Sequence, residues 1–486
     1  MKKKLTVLLL FIILGFYLPN VFSAAVTFNV YQDEGPEFTV SGINVDCNGT
    51  AYDRINKTSP FTINFDNNIY ECKFSNINKD WKEKIVTVNA STTNTQRVEM
   101  EFKNYPVVYQ FLQEEDAITS ANYYQTVAAW TYEPNFGSDT TVQVGCTIEV
   151  SSNKHGPLGE WQIHSSDDGE TWTTRGSIER NLTEGMIGSV YVSTKAWTVS
   201  DGTRYFKIVH RRKTNPASAT VISRNAVCNM FTNKSDSNST IKIASFDFGK
   251  KTVKYPYYWL LSTWALNSDM FNGFLFVTGS VNYAQITNDS DISLRLKYND
   301  NPSKIEYPRF VKAGTNASGS FAEFVDVNAN QNTNIVFEGK RSADISYMDV
   351  RGVSVFHLSQ DENEYDQIPL DNITVSSGDG NIPIASMILS NTKRGIYVST
   401  TAPVTSSGHG ANSKVEMYMQ IKGETYDKIS RIISRTFPDA DTFGTIKNQF
   451  VFKDVNNEDV NVILWAKATS GDVTIHGGNF IALTVN

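Results

Sequence analysis

The densest run of chemistry-bearing residues in this chain is Ser165-Ser166-Asp167-Asp168-Gly169-Glu170-Thr171-Trp172. Its spacing suits a hairpin. Ser165 opens the run, and Asp167 can accept backbone N–H bonds across the turn. Gly169 supplies a positive-φ position, and Trp172 packs under the loop. A second candidate is the aromatic strip Tyr255, Tyr257, Tyr258, Trp259 and Trp264. Aromatic faces stack on sugar rings, so Tyr257, Trp259 and Trp264 are candidate glycan-stacking residues. A strand opening a sandwich also needs aromatics for its core, and alternation would bury about half of them. Acidic clusters at Asp289/Asp291, Asp361 to Asp366 and Asp454 to Asp459 offer oxygen ligands for a loop-bound Ca²⁺. None has EF-hand spacing, and solvated loop charge is the simpler reading.

No residue is assigned to catalysis. The histidines His155, His164, His210, His357, His409 and His476 form no HExxH or other close ligand pair, so no metal site and no cofactor is expected. The chain carries no GxSxG, no P-loop and no strand-flanked GxGxxG, and the expectation is that it is not an enzyme.

The elements around these residues belong to an exported protein. Lys2, Lys3 and Lys4 precede an apolar run from Leu5 to Leu18, and Val21 and Ser23 stand at −3 and −1 of a cleavage after Ser23. That order makes a signal peptide, and its apolar core is shorter than the ~20 residues that span a bilayer. No later segment reaches that length, so no membrane span is expected in the mature chain. The expected location is secreted, extracellular or cell-surface. The four cysteines then pair within domains, Cys47 with Cys72 and Cys146 with Cys228. Sequons at Asn48, Asn56, Asn89, Asn181, Asn233, Asn238, Asn288, Asn316 and Asn372 are candidate glycosylation sites. A net charge of −7, with no basic run after the N-terminus, argues against nucleic acid as a partner.

Composition favours strands: Tyr, Phe, Val and Ile supply the apolar content, among abundant Asn, Ser and Thr. Residues 24–103 read as short alternating strands. Within them, Val45-Asp46-Cys47-Asn48-Gly49-Thr50, Thr58-Ser59-Pro60-Phe61-Thr62-Ile63, Tyr70-Glu71-Cys72-Lys73-Phe74 and Val86-Thr87-Val88 resemble a PEGA domain. The Pro-x-Gly-Ala-type signature that opens that family is missing. The resemblance implies a small accessory β-sandwich with a spacer or attachment role. Ser165 to Trp172 in turn resembles the Asp-box of sialidases. Those enzymes repeat the box and add an arginine cluster for the substrate carboxylate. Here there is one box and no comparable cluster, so the hairpin is read as structural.

Asn104-Tyr105-Pro106 marks a boundary, and three copies of one unit follow. Each opens with an apolar segment (Tyr123 to Trp130, Tyr257 to Leu266, Ile382 to Leu389). Each closes with a strand pair ending at Phe231, Leu358 or Val485. Between them come a strand (Thr141 to Val150, Gly273 to Val281, Gly395 to Thr400), a second strand, a long polar loop and a third strand. Tyr426 to Arg435 has helical spacing, but the repeat places a strand and loop there. A unit this long is a whole domain rather than a solenoid repeat, so each copy should be a bead with its own core. The closing pattern resembles jelly-roll modules of the tumour-necrosis-factor type.

The predicted fold class is therefore all-β, a multidomain string of β-sandwiches. Residues 1–23 are the signal peptide and 24–103 the PEGA-like sandwich. The jelly-roll-like repeats are 107–232, 241–358 and 368–486. The predicted function is a non-enzymatic surface, structural or adhesion protein whose partners are other surface proteins, glycans or further copies of itself. Carbohydrate binding is the alternative, with glycoside hydrolysis behind it.

Overall fold

The computed structural model describes residues 23–485 except 33–42, 49–51, 53, 67, 77–83, 101–106, 133–139, 201, 215–217, 235–240, 267–272, 286, 329–331, 343–345, 360–363, 393–394, 407–412, 438–442, 454 and 456–457. The signal-peptide residues before Ser23, the boundary at Asn104, the sequon at Asn238, His409, Asp361 and Asp454 fall outside the described residues. The described residues are strands joined by turns, and no helix among them is long and apolar enough to cross a membrane. The chain divides into two compact units, Met1–Lys103 and Asn104–Asn486.

The first unit is a two-sheet sandwich. Its strands are β1 (Ser23–Gln32), β2 (Ile43–Cys47), β3 (Arg54–Lys57), β4 (Phe61–Asp66), β5 (Ile69–Asn76), β6 (Lys84–Asn89) and β7 (Thr95–Met100). The sheets run β4-β1-β7 and β3-β2-β5-β6. Alternation selects the inward side: in β4, Ile63 and Phe65 are buried while Thr62, Asn64 and Asp66 are exposed. Phe28, Phe65 and Phe74 fill the space between the sheets. The Cys47–Cys72 disulfide joins directly opposed residues of β2 and β5.

The second unit holds three sandwiches in series. The first comprises β8 (Val107–Leu112), β9 (Ala117–Thr119), β10 (Gln125–Tyr132), β11 (Thr140–Ser152), β12 (Leu158–Ser166), β13 (Thr173–Asn181), β14 (Gly188–Ser193), β15 (Trp197–Val199), β16 (Arg204–Arg212) and β17 (Val221–Lys234). The second comprises β18 (Ile241–Val253), β19 (Trp259–Leu266), β20 (Gly273–Gln285), β21 (Ser290–Tyr298), β22 (Asn301–Val311), β23 (Asn316–Val327), β24 (Thr333–Arg341) and β25 (Ser346–Ser359). The third comprises β26 (Tyr365–Pro369), β27 (Asn372–Val375), β28 (Ile382–Thr392), β29 (Gly395–Ser406), β30 (Ser413–Lys422), β31 (Asp427–Ile429), β32 (Ile433–Phe437), β33 (Phe443–Phe452), β34 (Glu458–Ser470), β35 (Val473–His476) and β36 (Asn479–Val485).

Sheet order makes each a jelly roll. One sheet runs β8-β17-β11-β14, β18-β25-β20-β23 or β26-β36-β29, with β33 completing the last on β29. The other runs β10-β16-β12-β13, β19-β24-β21-β22 or β28-β34-β30-β31. In each sandwich these are the first, eighth, third and sixth principal strands against the second, seventh, fourth and fifth, the double Greek key. The Cys146–Cys228 disulfide ties opposed residues of β11 and β17. In the chain-entropy account each disulfide contributes roughly 3–5 kcal/mol.

Three boundaries differ from the sequence reading. Strand β17 runs on to Lys234, past the expected end of the first repeat at 232, because Thr232–Lys234 pair with Thr140–Val142. The third sandwich opens at Tyr365, before the expected start at 368, because Tyr365–Pro369 pairs with Asn479–Leu483. The long polar loop of each repeat contains a strand: β13, β22, or β31 with β32. The helical spacing near Ile429 and Ile432 thus falls in and beside short strands.

Each sandwich has its own core, as expected of a string of domains. The inner sheets show something further. Strands facing one core and one solvent should alternate, and β30 and β34 of an outer sheet do. In contrast, every residue of β14, β29 and β36 is buried, so these strands are covered on both faces. A cluster built from all three inner sheets covers the second face, with Phe231, Phe276, Phe324, Phe356, Tyr397 and Val451 among its members. The contacts run in a cycle. Strand β13 of the first sandwich meets β23 of the second, β22 of the second meets β33 of the third, and β32 of the third meets β14 of the first. The string is closed into a ring around a pseudo-threefold axis, the intrachain equivalent of a head-to-tail trimer. Hydrogen bonds repeat that sense: Asn316 N–H to Asn181 Oδ1 at 2.8 Å, and Ile187 N–H to Thr436 Oγ1 at 2.7 Å.

Candidate functional site

The aromatic strip is divided between the sandwich and its surface. Strand β19 is an edge of its outer sheet. Trp264 turns inward, while Tyr258 lies half-buried on the opposite face of the sheet, the side of Ser293, Arg295 and Lys340. Tyr258 lies beside Ser293 Oγ (3.0 Å) with the Arg295 guanidinium 4.0 Å above its ring, and Trp264 packs 4.4 Å from Phe246. Burial pushes the Tyr258 phenol well above its ordinary range. Tyr257 and Trp259 face solvent, 55% and 48% exposed, beside Leu260 at 54%. Tyr255 stacks on Tyr257 at 5.0 Å and 14°, and meets Trp259 at 4.8 Å. The result is a platform of three rings on an outer surface, able to stack on a flat apolar face. Of the three candidate stacking residues, the structure brings Tyr257 and Trp259 together there and packs Trp264, half-buried, against the core. Tyr255 completes the set.

The Ser165–Trp172 run forms the β12–β13 hairpin with Gly169 at φ +77°. The carboxylate that caps the turn is Asp168, not Asp167. Asp168 Oδ1 accepts the N–H groups of Glu170 (2.8 Å) and Thr171 (2.7 Å), and the Ser166 hydroxyl donates to it at 2.8 Å. Those bonds hold its carboxyl well below the usual range. The physical reason is the turn: Asp168 stands two and three residues before the N–H groups of Glu170 and Thr171, the reach of an Asx turn, while Asp167 is turned out to solvent within 3.3 Å of Arg204 Nε. Ser165 Oγ accepts from Arg175 Nε at 2.8 Å, and Trp172 lies under the Lys207 ammonium at 3.6 Å.

Other candidates scatter. Asn48, Asn56, Asn288 and Asn372 are exposed, while Asn89, Asn181, Asn233 and Asn316 are half-buried. Among the described residues no group of three or more His, Cys, Asp or Glu side chains comes close enough to hold a metal ion. His210 is buried against Ser223, which also accepts from Trp161 Nε1 at 2.8 Å, and burial lowers its pKa to about 4, so it is neutral at pH 7.

What the sequence reading missed are charges inside the ring. Glu149, Glu323 and Lys447 are buried on the inner sheets, and Arg309 and Arg435 are buried near the axis with Arg180 beside them. Arg180, Arg309 and Arg435 lie far apart along the chain. The ring assembles a cluster from residues one repeat apart, and that recurrence was the available signal.

No family model matches the chain, and no curated protein matches it. Among solved structures it is similar to the N-terminal CBM22-1–CBM22-2 tandem of Xyn10C from Paenibacillus barcinonensis (8% identity, 49% of this chain and 91% of that one, TM-score 0.18). It is also similar to the triple jelly roll of an archaeal virus turret (8%, 78% and 90%, TM-score 0.16). A third is a putative beta-galactosidase from Bacteroides fragilis (10%, 49% and 40%, TM-score 0.14). Likenesses this low say nothing about function.

Proposed function

We propose that this chain is a secreted or cell-surface structural protein, a non-enzymatic scaffold or adhesion body whose working part is the ring of three jelly rolls. The observation that carries this reading is the shared axial core. The inner sheets are used up in holding one another, which leaves a rigid body with outer sheets and loops for surface proteins, glycans or further copies. The small N-terminal sandwich, PEGA-like in its motifs, serves as the spacer or attachment module. Two disulfides fit an oxidising, extracellular setting. The test is sedimentation and negative-stain electron microscopy of the chain from Ala24, with and without Ca²⁺. Filaments, a lattice or defined clusters are expected. A monodisperse chain that turns over a polysaccharide, with turnover lost on one Asp or Glu change, overturns the reading.

A second reading, carbohydrate binding, draws on the Tyr255–Tyr257–Trp259 platform. It predicts a sugar-dependent rise in melting temperature and about tenfold weaker binding in Trp259→Ala. A flat response across a broad glycan panel removes it.

A further inference from the structure

Each jelly roll carries an arginine near the end of its fifth principal strand: Arg180 on β13, Arg309 on β22 and Arg435 on β32. Each is followed, eight or nine residues on, by a small residue at the start of the next strand: Gly188, Ala317 and Gly444. At Gly188 and Gly444 a Cβ would collide with the guanidinium of Arg180 and of Arg435. The first and third repeats thus set aside room for an arginine at the same place.

The ring brings the three to one cavity of about 230 Å³. Arg309 and Arg435 are only 4% and 7% exposed, and Arg180 is half-buried. Arg180 Nη1 donates to the Ser189 carbonyl at 2.8 Å. Nε and Nη1 of Arg435 are buried with no hydrogen-bond partner. No carboxylate lines the cavity, while Lys312 and His155 stand exposed among its lining residues. Burial, then the neighbouring Arg309 and Arg180, push the Arg435 guanidinium well below its ordinary range.

A guanidinium does not shed its proton to escape such a site. Burying a charge with no counter-ion costs on the order of several kcal/mol, and three guanidinium groups at one cavity repel one another. An apolar side chain in each of the three positions would avoid that cost. Three guanidinium forks around an axis match the three oxygens on one face of a tetrahedral oxyanion, with charge-assisted hydrogen bonds to each.

We propose that this axial cavity is an anion site for a tetrahedral oxyanion, phosphate or sulfate, bound by Arg180, Arg309 and Arg435. Such an ion holds the three jelly rolls together at one end of the axis.

The test uses the full mature chain. Equilibrium dialysis with labelled inorganic phosphate and sulfate should find one ion per chain. Either salt should raise the melting temperature above that in chloride at equal ionic strength. Arg435→Met should weaken binding at least tenfold and raise the melting temperature in chloride, since it removes a repelling charge. Gly444→Ala, which displaces Arg435 without removing it, should weaken binding similarly. Glycerol phosphate and a sulfated monosaccharide distinguish sources: tighter binding than the free ion points to the end group of a larger ligand, weaker binding to the ion itself, and both agree with the proposal. No binding of any of these at millimolar concentration overturns it, as does binding unchanged in both variants. Dialysis on the unaltered chain keeps the question decidable if neither variant folds.

Discussion

Phe276→Ala should lower the melting temperature of all three jelly rolls together. Phe276 is fully buried on β20 of the second sandwich. Its ring lies 5.9 Å from Phe231 of the first, 5.9 Å from Tyr397 of the third, and 5.0 and 5.6 Å from Phe324 and Phe356 of its own. Removing a buried phenyl costs about 3–5 kcal/mol, the lost transfer free energy plus the cavity left behind. Because the cavity opens on the axis, the loss falls on every contact that closes the ring. Calorimetry of residues in the second unit should show one transition, shifted as a whole. If the first and third jelly rolls melt where they did before, the axial cluster does not couple them and the ring is three independent beads. Phe337→Ala, in the second sandwich's own core, is the comparison for a cost of similar size placed off the axis.

The jelly rolls were legible where strands are apolar on one or both faces. The runs Thr141 to Val150, Gly273 to Val281 and Gly395 to Thr400 all fall in the third principal strand, and the closing pairs fall in the seventh and eighth. The fifth strands were not legible, because TTRGSIERN and ISRTF have few apolar residues and sit at or beside a sheet edge. Those are the strands that carry the arginines. Ring closure was hidden for a related reason. It buries polar side chains that read as solvent-facing: Gln449 Nε2 donates to the carbonyls of Gly145 (2.7 Å) and Val227 (3.2 Å), and Asn479 Nδ2 to that of Ala322 (2.7 Å). Once such groups find partners across an interface, polarity no longer marks the surface. The turn at Gly169 was legible down to its glycine. Which of two adjacent carboxylates caps it depended on the path of the backbone through the bend at 167–170, which a motif does not state.

The two charges buried deepest in the ring should give the unit opposite responses to acid and base. Glu323 on β23 is 1% exposed and accepts from the Tyr298 hydroxyl at 3.3 Å; burial raises its pKa from 4.5 to about 7. Between those values the folded chain keeps a proton that the unfolded chain has released, so Glu323 favours folding below pH 4.5 and that contribution is lost as pH rises to 7. Lys447 on β33 is 2% exposed, donates to Thr401 Oγ1 at 3.1 Å and lies 5.2 Å from the Tyr191 ring; burial lowers its pKa from 10.5 to about 7. Between 7 and 10.5 the unfolded chain holds a proton that the folded chain lacks, so stability rises with pH across that window. Near pH 7 both residues are at their least favourable. Lys447→Met should therefore stabilise the ring by about 1–3 kcal/mol at pH 7, with the gain shrinking as pH approaches 10. Glu323→Gln should match the parent near pH 5 and exceed it near pH 7. Each effect is read as variant minus parent in urea titrations at pH 5, 7 and 9, which cancels His210 and Glu149, whose own shifts act in the acid range with opposite signs. Differences that stay constant across pH would mean that the two side chains keep their ordinary protonation inside the ring, through water reaching the axis.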